Sequence, residues 1–170
     1  MSTPIYTGMP VYPGDPEVAI DLIQTVEADG WELRQINISS HIGTHVNVPA
    51  HCVKDGQTLD DYTLGSFMGP AQLYREGMAV QAGAGVIFDA QNINQEIVVW
   101  IIEQELPFVG LSNAFVIDEE IEKQLLAAGV LLYENLANTN QLPDLFNFYG
   151  VPLKIVAGDG CPVRAFATID

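Results

Sequence analysis

The chain has 170 residues, 48% of them hydrophobic and 16% charged, with 15 glycines and 10 prolines. That is enough chain for one domain with a sizeable buried core, and the balance argues against disorder. Six Lys+Arg against 22 Asp+Glu give a formal net charge of -16. A surface this acidic repels phosphate backbones and anionic lipid, so the expected partner is a small molecule, with neither nucleic acid nor membrane. Two cysteines, Cys52 and Cys161, make no disulfide framework. No basic and then apolar leader opens the chain and no 18-residue apolar run occurs, so the expected location is cytoplasmic.

In chain order, residues 4–16 carry four prolines and two glycines and read as a turn-rich lead-in. Residues 17–27 and 31–39 each alternate apolar and polar side chains, which predicts a hairpin turning at 28–30. Residues 41–52 (HIGTHVNVPAHC) hold a glycine and a proline and predict an irregular strand-to-loop segment. Residues 58–68 read as turn and linker, 70–74 as a strand, 75–85 as a loop and 85–88 as a brief strand. A helix is predicted over 94–106, with Asn92 or Asn94 as N-cap and stopped by Pro107, followed by a strand at 107–111. A second helix is predicted over 117–128, with Asp118 as its N-cap, acidic residues in the first turn and Gly129 at its stop. Residues 130–133 read as a buried strand, and 152–157 and 163–169 as a final hairpin about the Gly-Asp-Gly turn at 158–160. No repeat or linker is visible, so the expectation is one α/β domain with a mixed sheet over residues 1–170.

The strongest chemical signal is that all three histidines fall within eleven residues, at His41, His45 and His51. Neutral imidazole is the commonest side-chain donor to zinc and related cations. An irregular loop shaped by Gly43 and Pro49 can turn non-adjacent side chains toward one point. The spacing is not the helical H-E-x-x-H arrangement.

At these residues the sequence resembles the cyclase family of metal-dependent hydrolases, which includes bacterial kynurenine formamidase (arylformamidase). The family pattern H-x-G-[TA]-H-x-D-x-P-x-H is matched by HIGTHVNVPAH at 41–51. YPGDP at 12–16, LLAAGVLLYENLAN at 125–138 and GDGCPVR at 158–164 carry the likeness along nearly the whole chain. The resemblance implies a swivelling β/β/α fold, a homodimer or higher homo-oligomer, and one or two divalent ions, zinc or manganese. It implies hydrolysis of a small amide, lactam or N-formyl amine by a metal-activated water. It assigns His41, His45 and Glu134 to the metal and His51 to general acid–base catalysis. Two positions depart from the pattern: the family's aspartate is Asn47 here, and its later histidine ligand aligns with Glu122, or with Lys123 one residue out of register. An amide oxygen bridges two cations poorly, and a carboxylate in place of imidazole favours a harder metal. These departures keep two other readings open: a relative without activity that binds a metabolite or partner, and a metal-dependent lyase or isomerase. Asp15, Trp31 and Arg164 are expected at the substrate, and Asp15, Asp159 and Arg164 either line the pocket or lock the loops that carry the ligands, although Gly-Asp-Pro and Gly-Asp-Gly are also ordinary turn chemistry and Trp31 an ordinary core residue.

Overall fold

The computed structural model describes residues 1–169. Its frame is an eight-stranded mixed sheet with a parallel centre. Strands β4 (Met68–Leu73), β5 (Gly85–Phe88), β6 (Phe108–Ser112) and β7 (Leu131–Leu136) run parallel in that order. Strand β3 (His45–Asn47) pairs antiparallel with β7, and β9 (Gly160–Pro162) pairs antiparallel with β3. At the other edge β8 (Leu145–Tyr149) pairs antiparallel with β4, and β10 (Phe166–Thr168) with β8. Every residue of β5 and β6 is buried, as expected of parallel strands covered on both faces.

The period of two along each strand divides the core. Val86, Phe88, Val109 and Leu132 meet the inner faces of α2 (Gln95–Glu103) and α3 (Glu119–Ala127) at Ile97, Val98, Ile101, Ile121 and Leu125. Ile87, Leu131, Tyr133 and Val46 face the other way, onto Phe67, Phe146 and Phe148. The rings of Tyr133 and Phe148 lie 4.8 Å apart edge to face, although β7 and β8 are separated by three strands, so the sheet curls around this second core. Both helices start where the sequence places them: Asn94 accepts from the Ile97 N–H, and Asp118 from the Glu120 and Ile121 N–H groups. Gly129 follows α3 at φ +79.

The first hairpin stands apart as a two-stranded sheet of β1 (Ala19–Gln24) and β2 (Leu33–Asn37), with a one-turn helix α1 (Val26–Asp29) where the sequence predicts a continued strand and a turn. The Thr25 side chain accepts from the Ala28 N–H and thereby closes that turn. Residues 58–68 form two 3-10 turns, Leu59–Asp61 and Leu64–Phe67.

Three expectations are corrected. Residues 152–157 are not a strand: Leu153 and Val156 are 72% and 80% exposed, and the segment pairs with no neighbour. No final hairpin forms, because β9 adds to β3 and β10 to β8. Strand β8 lies where no strand is expected; it is held between β4 and β10, with Phe146 and Phe148 turned inward.

Candidate metal and catalytic site

The site lies where β3 is wedged between β7 and β9. His45 and Asn47, two residues apart, share one face of β3, while Val46 between them enters the core. Glu134 stands directly across from His45 on β7, and Gly160 across from Asn47 on β9. The α3 helix brings Glu122 from above the sheet. The 3-10 turn Pro49–His51 brings His51, and His41 comes from the turn preceding β3.

Asn47 is the hub. It is 1% exposed, and its amide nitrogen donates to Glu122 Oε1 and to Glu134 Oε1, both at 2.7 Å. Two carboxylates on one side fix the amide's orientation, since the reverse would set three oxygens against each other. The Asn47 Oδ1 therefore faces His41 Nδ1 at 2.8 Å. Glu122, not Lys123, is the residue that α3 turns inward; the Lys123 side chain is half exposed and pairs with Glu120.

The histidines are held from outside. His45 Nδ1 donates to the Gly43 carbonyl at 2.9 Å, which leaves Nε2 free, 3.4 Å from Glu134 Oε1. His41 Nε2 donates to Asp159 Oδ2 at 2.8 Å. The His51 ring lies against that of His41 with centroids 3.9 Å apart; its Nδ1 is 3.5 Å from Asp159 Oδ2 and its Nε2 3.7 Å from Glu122 Oε1.

The electrostatics follow from this crowding. Burial, and then the charge of Glu134, pushes the Glu122 carboxyl up to about 7. Burial acts on Glu134 in the same direction, but the hydrogen bond and charge of His45 outweigh it and leave that carboxyl below its ordinary range. Burial and then the neighbouring His41 charge lower His51. Burial with Glu122 beside it raises Cys52 to about 11, so at neutral pH it is a thiol and a poor nucleophile.

The donor chemistry fits one divalent cation better than two. With the His41 Nε2 proton given to Asp159, His41 Nδ1 and Asn47 Oδ1 turn lone pairs on each other across 2.8 Å. Such a contact needs either a further proton or a cation shared by both atoms. His45 Nε2 and Glu134 Oε1, 3.4 Å apart, are spaced as neighbours on a cation with bonds of roughly 2.0–2.2 Å. A second cation between Glu122 and Glu134 meets competition, because the Asn47 NH₂ already sits between them. Among the described residues, His41–His51–Asp159 and His51–Cys52–Glu122 also bring donor atoms within 4.8 Å of one another.

The structure thus gathers His41, His45, Asn47, His51, Glu122 and Glu134, and does not bring in the three residues expected at the substrate. Trp31 is 61% exposed on the first hairpin, where its indole N–H donates to Gln24. Arg164 is exposed, with its charge acting on the chain's amino terminus. Asp15 sits in a turn, its N–H donating to the Tyr12 carbonyl. Asp159, expected either to line the pocket, to lock a ligand-bearing loop or to serve only its turn, is placed against His41 and His51. Its only sequence signal is the glycine on each side, and Gly160 is needed: a Cβ there would lie 2.5 Å from His41 Cε1.

The cyclase family model matches residues 1–106. A kynurenine formamidase of Salinibacter ruber is 29% identical over 91% of this chain and 89% of its own length. An uncharacterized protein of Methanocaldococcus jannaschii is 30% identical over 93% of this chain and 92% of its own. Among solved structures, isatin hydrolase A from Labrenzia aggregata superposes with a TM-score of 0.82 at 19% identity, covering 98% of this chain and 91% of that one. At that identity the likeness speaks for the fold. No helix among the described residues is long and apolar enough to cross a membrane.

Proposed function

The chain belongs to the cyclase family, and from that premise we propose that it is a metal-dependent hydrolase of a small amide, lactam or N-formyl amine. The observation that carries the reading is the arrangement of the imidazoles: His41 and His45 each give one ring proton to an outer acceptor and turn the other nitrogen inward, toward carboxylate and amide oxygens. His41, His45, Asn47 and Glu134 would hold the cation, of zinc or manganese type, with Glu122 completing the cluster from α3. A bound divalent cation supplies Lewis acidity, easing deprotonation of water and polarising the scissile carbonyl.

The residues do the rest. His51 is about a third exposed, so it reaches both the cluster and solvent. Its lowered proton affinity keeps the ring neutral, so that Nε2 offers a lone pair to take a proton from the attacking water and can return it to the leaving nitrogen. Glu134, directly across from His45 on β7, would set its carboxylate charge against the cation.

Metal analysis of purified protein tests this reading, after extensive dialysis because the acidic surface collects cations loosely. Close to one equivalent of transition metal per chain is expected, with His45→Ala losing it; less than about a tenth of an equivalent would overturn the reading. That second result would favour a relative that binds a metabolite without turnover, since the Asn47 amide already satisfies both carboxylates.

The same proposal includes a homo-oligomer. The first hairpin has no cover on β2, every residue of which is exposed, and Ile36, Trp31 and Val26 are all 60–61% exposed. Light scattering is expected to give at least twice the 18.5 kDa chain mass, and Ile36→Asp to lower it.

A further inference from the structure

We propose that Asp159 is a shared positioning residue: one carboxylate that orients both His41, on the cation side, and His51, on the proton-transfer side. The proposal rests on the reading of the cluster as a metal site and adds to it what holds the two rings in register.

The geometry carries it. Asp159 Oδ2 accepts from His41 Nε2 at 2.8 Å, and the same oxygen is 3.5 Å from His51 Nδ1, an electrostatic contact longer than a good hydrogen bond. An oxygen that can only accept, placed at those two nitrogens, selects the tautomers that present His41 Nδ1 and His51 Nε2 to the cluster. The two rings lean on each other at 3.9 Å, so a turn of either displaces the other. The carboxylate is itself fixed through its backbone. The Val48 N–H donates to the Asp159 carbonyl at 3.2 Å, the Leu59 N–H donates to the Gly158 carbonyl at 2.8 Å, and Gly160 then enters the ladder opposite Asn47. The glycine at 160 lets this turn close against the His41 ring. His45 lacks this support, since its outer partner is the Gly43 carbonyl. It is therefore an internal reference for the other two.

The test is Asp159→Asn in the full chain, with Asp159→Glu as the conservative variant. Two readouts are taken besides activity: manganese affinity by titration, and long-range ¹H–¹⁵N spectra of the histidine rings, with and without zinc. In the parent chain His41 is expected to carry its proton at Nε2, and His51 at Nδ1. Asp159→Asn is expected to weaken manganese binding by roughly 10–100-fold and to shift the ring signals of His41 and His51 while those of His45 stay in place. Asp159→Glu is expected to restore both in part. Unchanged His41 and His51 signals overturn the proposal, as do all three rings moving together with a fall in melting temperature. A loss of affinity with His51 unmoved also overturns it, and makes Asp159 a direct ligand. If the parent binds no metal, the hydrolase reading fails, whereas the metal-free ring spectra still decide what Asp159 does.

Discussion

Replacing His51 with alanine is expected to slow turnover of an N-formyl aromatic amine by a factor on the order of 10²–10⁴, with the bound metal retained. The reasoning is positional. His51 comes from the turn after β3, its Nε2 is 3.7 Å from Glu122 and its Nδ1 3.5 Å from Asp159, and it is the most solvent-accessible of the three imidazoles. His41 and His45 sit deeper and face Asn47 and Glu134. Loss of a proton carrier should therefore appear in kcat, while metal content stays near that of the parent. A fully active His51→Ala protein would remove its acid–base role; one that has also lost its metal would make His51 a ligand.

The second large effect is expected from Asn47→Asp. This change restores the family's residue at the position, yet in the metal-free protein it should be strongly destabilising. The amide now donates at 2.7 Å to two buried carboxylates. An aspartate removes both donors and sets a third negative group among them, a change of the kind that costs on the order of 3–5 kcal/mol in a buried site. For a chain of this size that corresponds to a fall of about 10 °C or more in melting temperature. Divalent cation should reverse the loss, because cation binding to the folded state adds stability by mass action. Calorimetry with chelator and then with manganese checks both halves, and metal analysis shows whether a second equivalent now binds. A metal-free Asn47→Asp protein as stable as the parent would mean that the amide is not the hub described above.

The parts of this molecule that were legible in sequence are those in which cause and effect are close along the chain. Asp118 and Asn94 cap helices within three residues of themselves. Three histidines inside eleven residues announce a site before anything is known of the sheet. The alternation at 17–27 and 31–39 gives the first hairpin because its pairing is local. Alternation fails at 152–157 for the opposite reason: Leu153, Ile155 and Val156 have strand chemistry, but no strand edge is offered to them. Strand β8 carries the signal in Phe146 and Phe148, but it is a strand only because β4, more than seventy residues earlier, lies beside it. Asp159 is the plainest case. As sequence its Gly-Asp-Gly turn leaves pocket lining, loop locking and plain turn chemistry equally open, and only the 118-residue return to His41 decides among them. Trp31 shows the converse, an aromatic residue whose exposed place on the hairpin could not be read from its neighbours.

The position of β3 in the sheet bears on how the protein comes into being. It is third in the chain but next to last in the sheet, between strands that begin at residues 131 and 160. The bonds of Asn47 to Glu122 and Glu134 span 75 and 87 residues, and that of His41, just before the strand, to Asp159 spans 118. Loops of that length are entropically costly to close, and such contacts form late in folding. During synthesis the histidine segment must wait, unpaired, through the whole parallel centre of the sheet. Until then the imidazoles have only the partners made within the segment, the Gly43 carbonyl for His45 and the Asn47 amide for His41, and the carboxylates of Glu122, Glu134 and Asp159 reach them last.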